Sequence, residues 1–151
     1  MALNKSAHAK GIIPTPVAAG CELVVCRAEF VLSADLALND IIQMMDLPAG
    51  HVPVDIIVDT DDLGTTGVVS VGLLNAGKTD IDTTASGGAA WLTSGDVATA
   101  AAGIRADSGG LRAMARCAVS NDVNRPIGIK IATDTTATSG TIGLTLTYRS
   151  A

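Results

Sequence analysis

Residues 39–59, NDIIQMMDLPAGHVPVDIIVD, consist of two apolar runs joined by the short turn sequence LPAGH. In the second run Val54, Ile56 and Val58 share one face, because side chains alternate between the two faces of a strand. Pro48 presets its own φ, and the glycine two positions later can take a positive φ, so a reversal of the chain is favoured. The stretch therefore predicts a β-hairpin whose branched apolar side chains form the centre of the core.

Two further segments in the first half of the chain show the same alternation of apolar and polar residues. Residues 22–32 predict a half-buried strand with Phe30 in the core, and residues 68–74 predict another strand. A helix over residues 36–45 is the competing interpretation of the first apolar run. The isoleucine pair in that run and the proline that soon follows it favour a strand.

The last third of the sequence gives the clearest strand pattern. Residues 111–119 predict one strand, and the alternating runs 127–131 and 142–148 predict a terminal hairpin. Seven or eight strands are separated by turn residues, and no βα unit repeats. The sequence therefore predicts an all-β fold, an antiparallel β-sandwich or jelly roll.

The first twenty residues differ from the rest of the chain. Residues 1–20 have no periodic pattern and contain two prolines, which predicts an extended N-terminal arm in front of a single β-sandwich domain over residues 21–151. A frayed terminus is the alternative. Ile12, Ile13 and Val17 favour an arm that becomes ordered against a neighbouring subunit, because disordered tails are usually poor in branched apolar residues.

Residues 75–95 read as a long excursion that contains Trp91, the single tryptophan of the chain. Loops of this length in compact domains are usually functional or disordered. After the excursion, Ser94 has the side chain of a helix N-cap and Gly103 suits a helix end. These signals predict one short helix over residues 96–102.

The composition excludes several classes of function. A formal net charge of −5 argues against a nucleic-acid backbone as the main partner. Lys5 and Lys10 make residues 1–20 a basic segment ahead of an acidic body. No apolar run approaches the ~20 residues of a membrane span, and no signal-peptide pattern is present, so we expect synthesis in a reducing cytosol and no membrane partner.

The cysteines and histidines do not form a catalytic or metal-binding pattern. Cys21, Cys26 and Cys117 are odd in number and are expected to be small buried hydrophobic residues. His8 and His51 lie far apart in the sequence, and no cysteine lies in a recognisable nucleophile motif. We therefore expect no enzyme activity, no metal and no cofactor, and His51 is interpreted as a surface or interface residue.

Two motif-like stretches are rejected on their context. The acidic run 59–64 has a glycine at the sixth position of a calcium loop, but Leu63 offers no oxygen ligand at the fifth position and Ser70 replaces the glutamate of the twelfth. A solvated turn is the better interpretation. Residues 72–79 match the spacing of a phosphate-binding loop, yet residues 80–90 have two glycines and no apolar stripe, so the required helix is not predicted.

The central stretch also carries a family resemblance. The sequence DIIQMMDLPAGHVPVDIIVDTDDL at residues 40–63, followed by VSVGLLN at residues 69–75, resembles small head proteins of tailed bacteriophages. In that family an LPAG turn precedes an extended run, an acidic turn and a valine-glycine strand. The resemblance covers residues 22–75, with a compatible terminal hairpin at residues 125–149.

The resemblance implies a capsid decoration protein, also called a cement protein, with a sandwich or jelly-roll body. Such proteins bind the outer surface of the expanded shell and reinforce it. The implied partners are the major capsid protein and further copies of the chain, as a dimer or a trimer. The implied location is the exterior of the virion, after synthesis in the host cytoplasm.

A carbohydrate- or receptor-binding β-sandwich of a phage fibre or tail is the alternative function. It would normally present more aromatic side chains than the one Trp, one Tyr and one Phe found here. Trp91 is a candidate contact because tryptophan is enriched at interfaces, and a core position is the alternative for it. The residues that we expect to contact the capsid or another subunit are Lys5, Lys10, Ile12, Ile13, Val17 and Trp91.

Overall fold

A computed structural model describes residues 1–64, 66–98 and 101–151, with the side chains of residues 101 and 102 left out. This part of the chain consists mainly of β-strands, with one short α-helix. The elements are β1 (Leu3–Lys5), β2 (Leu23–Val31), β3 (Ile41–Leu47), β4 (His51–Thr60), β5 (Val68–Leu73), β6 (Leu92–Asp96), β7 (Ala101–Arg105), α1 (Ser108–Arg116), β8 (Arg125–Thr133) and β9 (Thr141–Ser150).

The strands form two sheets. Sheet A has the order β1-β3-β8-β5-β6, and sheet B has the order β2-β9-β4-β7. All pairs are antiparallel except β1 with β3, which is parallel. The predicted all-β sandwich is confirmed.

The predicted central hairpin is wrong. β3 belongs to sheet A and β4 to sheet B, so the LPAGH turn carries the chain from one sheet to the other. Gly50 has the positive φ that the turn sequence predicted, +75°. Alternation along a strand determines which side chains are buried, but it does not determine which strand becomes the hydrogen-bonded neighbour.

The predicted terminal hairpin is wrong for the same reason. β8 pairs with β3 and β5 in sheet A, whereas β9 lies between β2 and β4 in sheet B. The buried faces are as expected, since Ile127, Ile129 and Ile131 are inaccessible to solvent. The strand over residues 22–32 is confirmed as β2, but Phe30 is only half-buried at the margin of the core.

A register shift explains why one face of β4 differs from the prediction. Ile56 and Val58 are fully buried as predicted, while Val54 is 38% exposed. The pairing with β9 shifts between Pro53 and Asp55, so one extra residue is accommodated there. Such a bulge exchanges the two faces of a strand, and His51 and Pro53 point inwards in its first half.

The helix lies twelve residues later than predicted. Residues 92–96 and 101–105 are strands, and residues 99 and 100 of the predicted helix lie outside the described part of the chain. Helix α1 begins after Asp107, whose Oδ1 accepts a hydrogen bond from Gly110 N at 2.6 Å. The stabilisation that the Asp107 cap gives to the first turn outweighs the low helix propensity of the two glycines in that turn.

The predicted strand over residues 111–119 is mostly this helix. Ala113 and Met114 face the core, whereas Leu111 is exposed, an arrangement with helical rather than strand periodicity. β7 pairs with β4 only at Ile57, Val58 and Thr60, and the helix contacts β4 as well.

The excursion after β5 covers the outer face of sheet A. Ile81 and Ser86 pack against Gly72, on the face of β5 opposite to the buried Val71. Residues 74–91, all of which the structure describes, contain turns and a bridge but no helix after Lys78. The match to a phosphate-binding loop is therefore a coincidence of spacing, as expected.

Candidate functional site

The N-terminal segment begins as an edge strand of sheet A. β1 runs parallel to β3, with Leu3 opposite Ile41. The backbone N–H of Ala2 donates to Asp40 Oδ1 at 2.6 Å, and Ser6 N donates to the carbonyl oxygen of Gln43 at 3.0 Å. The first six residues are therefore bound along one strand.

The same segment is held a second time, by His51 and Tyr148. The N–H of Ala18 donates to His51 Nε2 at 3.0 Å, and His51 Nδ1 lies 2.8 Å from the carbonyl oxygen of Ala49. Nε2 must accept, so the proton of this imidazole is on Nδ1. Tyr148 donates its hydroxyl proton to the carbonyl oxygen of Pro16.

His51 is thus a buried structural residue, and the prediction of a surface or interface residue is wrong. Only 4% of it is exposed, and its ring meets that of Tyr148 edge-on at 5.7 Å between centroids. Arg125 Nη2 donates to the carbonyl oxygen of His51 at 3.1 Å. Burial raises the pKa of Tyr148 to about 12, so its hydroxyl remains a proton donor at neutral pH.

Between the two attachments the chain forms a compact projecting segment, residues 7–17, which we call the N-terminal loop. Lys10 N donates to Ser6 O and Ile12 N to Ala7 O, both at 3.0 Å. The side chains of Ile12, Ile13 and Val17 are 72%, 47% and 67% exposed. Apolar side chains are therefore held in solvent by a loop whose two ends are attached.

The remaining predicted contact residues lie in different settings. Lys10 is exposed on the N-terminal loop and Lys5 is half-exposed on β1. Trp91 is fully buried, with its indole N–H donating to Ser86 O at 3.0 Å. Trp91 therefore occupies the core position that was the alternative prediction. The backbone of helix α1 at Gly110 packs directly against the carbonyl group of Trp91.

The assignment of residues 1–20 as an arm that crosses onto a neighbouring subunit stays a prediction. Within the chain, this segment is attached to the body at both ends. Sequence reasoning found the exposed apolar residues but missed Asp40 and His51, the side chains that hold them in place. Asn39, which precedes Asp40, has a φ of +68°, a conformation in which asparagine is enriched.

Two of the three cysteines, Cys26 and Cys117, are buried. Cys26 Sγ lies 4.0 Å from His8 Nδ1, a proximity that the sequence did not reveal. Burial raises the pKa of the Cys26 thiol, which disfavours the thiolate that a nucleophile requires. Cys117 is also buried and donates to Ala85 O at 3.3 Å. Cys21 is exposed, contrary to prediction, because it precedes β2.

The acidic turn after β4 uses its carboxylates to hold the backbone. Asp61 Oδ2 accepts from Thr141 N at 2.8 Å, Asp62 Oδ1 accepts from Gly64 N at 2.9 Å, and Leu63 is buried. Over residues 1–64, 66–98 and 101–151, no group of three or more His, Cys, Asp or Glu side chains is placed to hold a metal ion. Nor does this part of the chain include a helix long and apolar enough to cross a membrane.

The outer face of sheet B carries the exposed side of β2. Leu23, Val25 and Val31 are each more than 60% exposed on that face. Between them Arg27 contacts both Glu29 and Asp59, and these hydrogen bonds raise the pKa of the guanidinium. The strand therefore presents apolar side chains at both ends and charges at its middle.

Chains of two phage capsids are among the solved structures of similar fold. A chain of "Capsid of Ralstonia phage GP4" is 29% identical with a TM-score of 0.76, and the match covers 99% of this chain and 98% of that one. A chain of "Cyanophage Pam1 capsid asymmetric unit" is 18% identical with a TM-score of 0.60, covering 90% and 91%. No protein-family model matches the sequence, and no curated protein does.

The first of these likenesses supports a phage capsid-related protein. The second, at its lower identity, shows a shared fold. The resemblance read from residues 40–75 is thus supported at the level of phage capsid proteins.

Proposed function

We propose that this chain is a structural virion protein that binds the outer surface of a tailed-phage capsid and reinforces the shell. The observation that carries the proposal is the similarity to a chain of the GP4 capsid, which extends over 99% of this chain at a TM-score of 0.76. The major capsid protein is the proposed partner, and the exterior of the virion is the proposed location.

The small size and closed core of the chain suit a reinforcing protein. Cementing a shell requires complementary surfaces and a stable body, and each of many copies can add a weak contact to a strong total attachment. Two observations support a non-catalytic role. Burial raises the pKa of the Cys26 and Cys117 thiols, and both ring nitrogens of His51 are already engaged in hydrogen bonds to the backbone.

We assign shell contact to the N-terminal loop. Ile12, Ile13 and Val17 are exposed apolar residues on a loop whose ends are already attached. A loop that is ordered before binding loses little conformational entropy on docking, so more of its contact energy appears as affinity. Clusters of exposed apolar side chains commonly mark interaction sites.

The charge of the N-terminal segment also supports shell contact through this part of the chain. Residues 1–20 contain Lys5 and Lys10 and no acidic residue, although the whole chain has a net charge of −5. Lysines at the rim of an apolar contact favour a partner that presents carboxylates there. This part of the chain is therefore the one suited to an acidic patch on the shell.

The test is binding of purified protein to undecorated expanded capsids. The variant Ile12→Asp/Ile13→Asp places two charges in the proposed contact without touching Asp40, His51 or Tyr148. We expect it to fold normally and to lose at least about tenfold in affinity for shells, since buried apolar anchors dominate interfaces. Bound copies are counted by electron microscopy and by co-sedimentation.

The matched control is Val119→Asp/Val123→Asp, which adds the same two charges at exposed valines of the loop between α1 and β8. It should bind like the native chain. Deletion of residues 1–20 is a poorer test, because it also removes β1 and the hydrogen-bond partner of His51. If the isoleucine variant fills shells to native occupancy, the loop is not the contact; if the folded native chain never binds shells, the cement function is wrong.

The carbohydrate- or receptor-binding alternative lacks a suitable surface. Trp91 and Tyr148 are fully buried and Phe30 is half-buried, so the three aromatic residues of the chain offer no platform for stacking on a sugar. Binding to glycans without binding to shells would support that alternative. We also propose that the protein acts as a homo-oligomer.

A further inference from the structure

The edge of sheet B formed by β2 is open. β2 pairs on one side with β9 over nine residues and has no strand on the other side. Among the residues that the structure describes, no hydrogen bond reaches the backbone groups on that free edge. A long unpaired edge is a template for pairing with another chain, and proteins that keep one exposed usually protect it.

The pairing with β9 shows which backbone groups are free. Leu32 N donates to Gly140 O at 2.8 Å, which continues the β2–β9 ladder by one position. Hydrogen-bonded residues alternate along an antiparallel pair. The even-numbered residues of β2 therefore point their N–H and C=O groups at β9, and the odd-numbered residues point theirs outwards. The outward set is Leu23, Val25, Arg27, Glu29 and Val31.

The same five residues have their side chains on the outer face of the sheet, and their order is self-complementary. A two-fold axis through Ala28 places Arg27 opposite Glu29 of a second copy and Val25 opposite Val31 of that copy. Each of these pairs joins two odd-numbered residues, so their free N–H and C=O groups face each other and can complete a ladder.

Neighbouring registers are less favourable. A two-fold axis through Arg27 would place the Arg27 side chains of the two copies opposite each other. A two-fold axis through Glu29 would do the same with the two Glu29 side chains. Like charges directly opposite each other destabilise a strand pair. Only the register centred on Ala28 matches opposite charges at the middle and apolar residues on either side.

The N-terminal loop borders this edge without covering the outer face. His8 contacts Cys26, whose side chain points to the core. Ala7, His8 and Ile13 line a surface depression together with Arg27, Glu29 and Val31. The loop therefore lies beside β2 and leaves its outer face uncovered, since Val25 and Val31 are more than 60% exposed.

We propose that two copies of this chain associate through their β2 strands, antiparallel and centred on Ala28, so that two four-stranded sheets become one continuous sheet. This deepens the self-association proposed above and does not depend on attachment to the shell. Arg27 of each copy then lies between Asp59 of its own sheet and Glu29 of the second copy.

The test uses charge exchange at the centre of the pair, read by sedimentation velocity over micromolar to millimolar concentrations. In a pair of Glu29→Arg copies, the new arginine faces Arg27 of the second copy, and in a pair of Arg27→Glu copies, the new glutamate faces Glu29 of the second copy. Because like charges then face each other, each variant alone should self-associate at least about tenfold more weakly than the native chain. Mixing the two restores an attractive pair at both positions, and a heterodimer should form. Asp122→Arg is the control for Glu29→Arg, because it makes the same charge change at an exposed site away from β2.

Hydrogen exchange gives a second readout. The backbone amides of Val25, Arg27 and Glu29 should become protected from exchange as the concentration of the native protein rises. The amides at the same positions in the Glu29→Arg variant should not become protected.

A native chain that stays monomeric, a Glu29→Arg variant that associates like Asp122→Arg, or a mixture that forms no heterodimer would each overturn the proposal. If Arg27→Glu does not fold, the comparison of Glu29→Arg with Asp122→Arg decides alone. Shell binding by a strictly monomeric native chain would reject this interface and leave the cement function standing.

Discussion

Arg27 on β2 and Asp59 on β4 form a bidentate ion pair that crosses above Gly143 on the strand between them. Arg27 Nε lies 3.3 Å from Asp59 Oδ1, and Nη2 lies 2.5 Å from Oδ2. A Cβ atom at position 143 would collide with both side chains. The absence of a side chain on the central strand is therefore what lets its two neighbours meet.

We expect Gly143→Ala to uncouple this pair with little change in overall stability. The pair is more than one-third exposed, so its coupling energy is about 0.5–1 kcal/mol. The alanine also relieves the entropic cost of a glycine in a strand, about 0.5–1 kcal/mol. A double-mutant cycle of Arg27→Ala and Asp59→Ala should give this coupling in the native background and none in the Gly143→Ala background. An unchanged coupling would mean that the side chains meet by another path.

His51→Ala should release the second attachment of the N-terminal loop. The change leaves the N–H of Ala18 without its acceptor and opens a cavity beside Tyr148, so we expect a loss of about 2–3 kcal/mol in the free energy of unfolding. His51→Gln is the matched variant, because its side-chain oxygen can occupy the place of Nε2. Urea denaturation measures the loss, and hydrogen exchange at Ala18 should accelerate in the alanine variant much more than in the glutamine variant.

The stability of the fold should decline between pH 10 and pH 12 through Tyr148. Its pKa is about 12 in the folded protein and about 10 in an unfolded chain. Between these values the folded state keeps a proton that the unfolded state has lost, so stability falls as pH rises, by about 3 kcal/mol at most. Tyr148 is the single tyrosine, so absorbance of the phenolate reports its titration directly. Tyr148→Phe should remove this part of the pH dependence, while the buried thiols still contribute some.

Two adjacent glycines in helix α1 should respond to alanine with opposite signs. At Gly109 a Cβ atom would meet only Asp107 Oδ1 at 3.3 Å, so Gly109→Ala should stabilise by about 0.5–1 kcal/mol through helix propensity. At Gly110 a Cβ atom would overlap the carbonyl group of Trp91, so Gly110→Ala should destabilise by several kcal/mol or displace the helix. Thermal unfolding of the two variants checks both signs, and equal shifts in Tm would contradict the packing of α1 on Trp91.

The sequence predicted burial better than it predicted pairing. The alternation around Ile56, Ile129 and Leu144 identifies core residues correctly, because it depends only on the geometry of one strand. Both predicted hairpins are wrong, because a turn such as LPAGH can join two strands of one sheet or carry the chain to the other sheet. That choice depends on contacts between residues far apart in the sequence.

The candidate site was predictable in part. Ile12, Ile13 and Val17 are unusual in a proline-containing terminus, so the sequence alone marked them. Trp91 could not be assigned, since the helix backbone that packs against it, at Gly110, is nineteen residues away in the chain. The attachment of the loop by His51 had no local signal either, because Ala18 and His51 meet only in the folded protein.

The position of β9 has a consequence for how the protein folds during synthesis. β2 and β4 are complete early in translation, yet the strand that joins them is the last of the nine in sequence. Sheet B therefore cannot assemble until β9 has left the ribosome, and until then β2 and β4 lack the neighbour they share. Folding of this kind depends on contacts of long sequence separation, which makes it slow and leaves unpaired edges exposed to aggregation. Ribosomes stalled before residue 141 should thus carry a chain that remains sensitive to proteases.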